Sequence, residues 1–241
     1  QGTSLKITEF DPYKLIRHIK PAAPAEAQRK QVDLLSALNR EHLAARPGDS
    51  QLEASIDAME TAFRMQTEAP DAFDIRKEKP ETLARYGDSD FGRGCLMARR
   101  LLERGVRMVQ IYYGNSQPWD NHEDIQVHKR LAANTDPAVA ALVEDLKSRD
   151  MLKDTLVVWG GEFGRQALVQ GAGDGRDHNP KGFTYWLAGG GVKPGSYGET
   201  DEIGFEAVSD KAHIHDIHAT ILHLMGLDHE TLTYNYAGRD F

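Results

Sequence analysis

A chain of 241 residues is long enough to bury a sizeable core, as one large domain or two small ones. Its 37 acidic against 29 basic side chains leave a formal charge of −8, with no basic stripe for phosphate backbones, which speaks against nucleic-acid binding. No run approaches the roughly 20 apolar residues of a membrane helix, and a single cysteine, Cys95, rules out an internal disulfide.

Residues 1–25 read as extended or irregular, ending in the proline-rich Pro21–Pro24. The chain opens on Gln1 with neither an initiator methionine nor a signal peptide, so a processed product or an expressed fragment is expected. Val32, Leu35, Leu38 and Leu43 among charged neighbours predict a helix over 25–45, broken by Arg46-Pro47-Gly48-Asp49. Ser50, with Glu53 three residues on, predicts the capped start of a second helix whose stripe is Leu52, Ile56, Met59 and Phe63. The two read as a helical hairpin without chemistry. Residues 69–86 read as a charged linker with a short helix.

Asp88 or Ser89 can cap the next helix, where Cys95, Leu96, Leu101 and Leu102 alternate with arginines and Gly105 marks the end. Cys95 on that apolar face is expected to be a buried, inert thiol. Val106–Tyr113 predicts a strand, followed by a polar loop with Trp119, Asp120, Asn121 and His122. Residues 124–149 are helical in pattern, with Pro137 either kinking one helix or starting a second. Leu152 to Gly161 predicts a second strand and Phe183–Ala188 a third. Residues 192–212 read as loops or a short hairpin. Ile214, Ile217, Ile221 and Leu224 predict a last helix, which Gly226 terminates. Helix and strand in alternation imply an α/β fold, a mostly parallel sheet flanked by helices, with the helical hairpin at its N-terminal end. The boundaries expected are 1–86 for the helical region and linker, and 87–241 for the α/β portion, the two forming a single integrated domain.

Chemistry concentrates beyond the strands. Asp120 and His122 follow the first, Glu162 follows the Gly160-Gly161 pair, and Asp177 and His178 close the glycine-rich loop after it. In an open α/β sheet, groups at successive strand ends face one crevice, and carboxylates with imidazoles suit a divalent cation. Each has a plainer alternative. Asp120 can cap a turn, Glu162 can pair with Arg165 or Arg176, and His178 can bond a loop. His213, His215 and His218 open the last helix, where a metal role competes with capping. His18, His42, His223 and His229 read as surface or core-edge residues. Gly171-Ala172-Gly173-Asp174-Gly175 follows no strand directly and opens no helix, so it reads as a mobile loop. No Gly-x-Ser-x-Gly elbow and no Walker loop is present.

The runs WDNHED, TLVVWGGEFGR, GRDHNPKGFTYWLAGGGVKPG and HIHDIHATILHLMGLDHE resemble the carboxyl-terminal half of the domain of unknown function 1501 family, over about Ser50 to Phe241. That family is related to sulfatases within the alkaline phosphatase superfamily. The resemblance implies an alkaline phosphatase/sulfatase-like fold in a bacterial, periplasmic or secreted hydrolase of sulfate or phosphate esters. It implies Asp120, Glu162 and His178 as ligands of zinc, calcium or manganese, His122 as ligand or general acid, and Arg165 or Arg176 as an anion clamp. The substrate would be a small-molecule or glycan ester. Phe163 stands where the superfamily has a second histidine, which argues against a two-metal site. The superfamily's nucleophile and first metal-binding aspartate match nothing in these 241 residues. A homo-oligomer, or association with a missing N-terminal half, is therefore expected. The alternative function is a non-catalytic scaffold that binds an acidic glycan or a protein partner.

Overall fold

The computed structural model describes residues 5, 7, 11–16, 19–21, 23–46, 48–114 and 116–240, apart from the side chains of Ala25 and Thr67. His18, Pro47 and much of the irregular N-terminal stretch therefore lie outside the described residues. The chain divides into two compact units, Gln1–Gly114 and Asn115–Phe241.

The first unit is helical. It contains α1 (Pro12–Leu15), α2 (Ala25–Ala44), α3 (Ser50–Phe73), a 3-10 turn at Ile75–Lys77, α4 (Pro80–Tyr86) and α5 (Asp90–Leu102). The helix α2 packs on α3, with the Ser36 hydroxyl donating to the Glu60 carboxylate at 3.2 Å. The N-cap of α3 is Asp49 rather than Ser50: its Oδ1 accepts the Leu52 N–H at 3.0 Å, one of the donors that a helix start leaves unpaired. Ser89 does the same for α5, accepting from Gly92 at 3.0 Å. Most of α5 is buried on all sides from Gly94 to Arg100, and it supplies much of the unit's core, with Cys95, Leu96, Met97 and Ala98 buried alongside Ala72, Phe73, Ile75 and Tyr86. Burial pushes the Cys95 thiol up to about 12, so it stays protonated and unreactive.

The second unit contains α6 (Val127–Ser148), β1 (Leu156–Trp159), β2 (Gly164–Arg165), β3 (His178–Asn179), β4 (Trp186–Gly189), β5 (Glu199–Thr200), β6 (Ala207–Ser209), α7 (Ile214–Leu224), β7 (Asn235–Tyr236) and β8 (Arg239–Asp240). Pro137 lies inside α6, which is one helix, and buries Leu131, Ala138, Ala141, Leu142 and Leu146. A 3-10 turn at Leu152–Asp154 leads into β1, and the Gly190 N–H donates to the Leu152 carbonyl at 2.9 Å, fastening the end of β4 beside it.

The expected mostly parallel α/β sheet of alkaline phosphatase/sulfatase type is overturned. About 47% of the described residues are helical, and among them every strand pairs with one partner, antiparallel, in a two-stranded sheet. The central pair sets Leu156 opposite Gly189 and Trp159 opposite Trp186. The physical reason lies in the connection. Parallel neighbours need a crossover, usually a helix. The chain between β1 and β4 has none; it is a glycine-rich excursion containing only β2 and β3, and it brings β4 back antiparallel. Val106–Tyr113, despite its β-branched and aromatic content, forms no strand, so nothing propagates a sheet from it.

Candidate metal centre

The excursion between β1 and β4 builds the site. The hairpin β2–β3 places Arg165 opposite His178 and Gly164 opposite Asn179. Asn179 is buried and anchors the turn: its side-chain amide donates to the Phe205 carbonyl at 2.9 Å, and its Oδ1 accepts the Lys181 N–H at 3.1 Å. The glycine-rich loop then runs against the segment that follows Trp119. Asp174 N–H donates to the Glu123 carbonyl at 3.0 Å, Ile125 N–H to the Asp174 carbonyl at 3.2 Å, and Arg176 N–H to the Asn121 carbonyl at 3.1 Å. The expected mobile loop is thus laced to its neighbour by backbone bonds. Gly175 is required there: a Cβ on it would lie 1.9 Å from the His122 carbonyl oxygen.

This lacing brings Asp120, His122 and His178 together. Each offers one ligand atom, and the three atoms lie within 4.8 Å of one another; no other trio of His, Cys, Asp or Glu among the described residues could hold an ion. His178 Nε2 is 2.9 Å and His122 Nε2 3.0 Å from the same Asp120 oxygen, Oδ1. A guanidinium nitrogen of Arg165 lies 3.1 Å from that oxygen as well. The hydrogen bond from His178, with the charges of His122 and Arg165, holds the Asp120 carboxyl below its usual range against the opposing effect of desolvation. The imidazoles of His122 and His178 lie 4.9 Å apart, and the Phe163 ring sits 4.8 Å from His178 with the Arg165 guanidinium 5.6 Å over its face.

Glu162 is placed differently from the aspartate. Its Oε1 is 3.1 Å from Arg165, and it joins Asp120 through that guanidinium rather than the imidazole cluster. Burial pushes its carboxyl up, but hydrogen bonds from its own backbone N–H and from Arg165 more than offset this and hold it below the ordinary value. Asp177 turns its Oδ1 back to accept the His178 N–H at 2.7 Å, and Arg176 is engaged by the Asp174 carboxylate and the Gly175 carbonyl. His213, Asp216 and His215 close the start of α7: His213 accepts the His215 N–H at 3.3 Å and donates its own N–H to Asp216 at 2.6 Å. His218 lies exposed one turn on. One contact was invisible in the sequence. The Gln170 side-chain oxygen is 2.7 Å from His122 Nδ1, placed there by the fold of a loop whose composition carries no such signal.

Two imidazole nitrogens and one carboxylate oxygen fit zinc or manganese better than calcium, which takes oxygen ligands. Three protein donors also leave coordination positions open to water or substrate.

Residues 2–241 match the family described as "Protein of unknown function (DUF1501)". The chain belongs to that family. The match runs through both units and includes every residue of the imidazole–carboxylate cluster. No curated protein and no solved structure matches the chain. No helix among the described residues is long and apolar enough to cross a membrane.

Proposed function

We propose that the chain is the metal-binding part of a hydrolase of sulfate or phosphate esters, with Asp120, His122 and His178 as the ligands. The observation that carries the cation is the convergence of their three donor atoms within 4.8 Å, on loops laced together by backbone hydrogen bonds. The ester class comes from the motif resemblance to sulfatase-like enzymes; the fold lends it nothing. A bound divalent ion would supply Lewis acidity at the ester oxygen. Arg165 and Phe163 set the frame: the guanidinium pins Asp120 from one side, and the ring packs against His178 from another. Asp120, Glu162 and Asp177 against Arg165 leave the cluster with two net negative charges when both imidazoles are neutral. A divalent cation cancels that charge, so an anionic ester meets no net repulsion where the cation sits. A periplasmic or secreted location goes with this reading.

A second reading is a cation-binding module without turnover. The observation favouring it is that the Arg165 guanidinium already contacts both Asp120 and Glu162, so an ester oxygen would compete with two carboxylates.

Elemental mass spectrometry and zinc titration decide the first point. The purified chain should bind about one zinc or manganese per molecule, and His178→Ala should lose more than the roughly 10–100-fold in affinity that removal of an outer partner costs. A metal-free chain that takes up neither ion overturns the site. Metal-dependent cleavage of a nitrophenyl sulfate or phosphate separates the hydrolase from the module.

A further inference from the structure

We infer that Gln170 is a positioning residue that selects which nitrogen of His122 meets the cation. The inference rests on the reading of Asp120, His122 and His178 as ligands. An imidazole can present either ring nitrogen to a metal, and the hydrogen bond at the other nitrogen decides which. His122 directs Nε2 toward Asp120 Oδ1 at 3.0 Å, on the side where His178 Nε2 also points. Its Nδ1 lies 2.7 Å from Gln170 Oε1. The Asp177 carboxylate is the rival acceptor, yet its Oδ1 stands 3.8 Å from Nδ1 and already accepts the His178 N–H.

Gln170 does not reach His122 by chance of a long side chain. Its backbone N–H donates to the Gly175 carbonyl at 3.0 Å, and Gly175 abuts the His122 carbonyl so closely that no Cβ fits between them. The next residue, Arg176, donates its N–H to Asn121. Gln170 is therefore clamped to the same loop edge that carries His122. With its amide oxygen as acceptor, the ring carries its proton on Nδ1 and leaves the Nε2 lone pair for the ion. His178 is held another way, by tilted contacts with the rings of Phe163 and His122. The two imidazoles thus differ: one is oriented by an amide, the other by aromatic contacts.

The test uses the full chain as wild type, Gln170→Leu and Gln170→Glu. Zinc affinity is read by competition with a chromophoric chelator, and the His122 tautomer by nitrogen-15 side-chain spectra. Gln170→Leu keeps the bulk and removes the acceptor; zinc affinity should fall about 10–100-fold. Gln170→Glu keeps an acceptor oxygen and should stay within roughly threefold of wild type. With zinc bound, the His122 proton should reside on Nδ1 in wild type and Gln170→Glu, and lose that preference in Gln170→Leu. Zinc binding by Gln170→Leu within about twofold of wild type overturns the inference, as does a His122 proton on Nε2 in the zinc-loaded wild type. If the wild type binds no zinc, the ligand reading fails by itself. The spectra then decide the Gln170 contact alone, and identical His122 signals in all three proteins overturn it.

Discussion

Among single residues, the most demanding group outside the candidate metal centre is Arg99. Its side chain is 1% exposed and lies 2.8 Å from Glu78 and 2.7 Å from Glu103. Glu78 also pairs with Arg100, whose Nε donates to the Ala72 carbonyl at 2.9 Å. Burial alone would raise the Glu78 carboxyl, but hydrogen bonds from Arg99 and Arg100 override it and hold it below the usual glutamate value. A depressed carboxylate stabilises the fold above its unfolded pKa, and that contribution is lost as pH falls through the folded value. Glu78→Gln keeps the shape but leaves buried guanidinium charge uncompensated. It should cost about 3 kcal/mol in denaturant unfolding at neutral pH, with a smaller deficit in acid, where the wild type also surrenders its charge. Legibility at this scale follows chemistry. That Asp120 and His178 could be candidates for one site was legible, because few side-chain types suit a cation and both stand in polar segments beyond apolar runs. That Glu162 would turn to Arg165, and that an amide would address His122, depended on loop paths that no residue type encodes.

Among the elements, the loop from Gln166 to Asp177 does what the missing sheet was expected to do. A parallel sheet would aim the candidate ligands at one crevice from its strand ends; instead the β2–β3 hairpin and a parallel bridge between Asp124 and Asp174 bring them together. Gly175→Ala should push the loop off the His122 carbonyl, weaken zinc binding about tenfold or more, and open the loop to limited proteolysis without changing the helical circular dichroism. Undiminished zinc binding in that variant would mean that the close approach does not matter. The helices were readable because their signals are local. Apolar spacing gave α2, α3, α6 and α7; a serine and a glycine bounded α5, whose Gly105 sits at φ +81°. Strands are readable only as stretches. Leu156–Trp159 lies in, and Trp186–Gly189 overlaps, a run that reads as a strand, but direction and partner are decided elsewhere in the chain, and Val106–Tyr113 shows that β-prone composition without a partner makes no strand. The two-residue strands carry no periodicity at all.

For the whole molecule, every ligand candidate falls within one unit, Asn115–Phe241, while the Glu78–Arg99 cluster lies in the other. Perturbations should therefore separate: Glu78→Gln should leave zinc affinity unchanged, and loss of zinc should spare the N-terminal helices. The contact between His178 and Asp120 joins positions 58 apart in sequence. An ion bound there would act as a removable staple across that span, stabilising whatever conformation keeps the two ends together. At one hundred times its dissociation constant it adds about 2.7 kcal/mol to the stability of the unit that holds it, by mass action alone. A chelator should then lower the melting temperature of that unit, and excess zinc should restore it. Stripping the ion would be equivalent to cutting a cross-link while leaving every covalent bond in place.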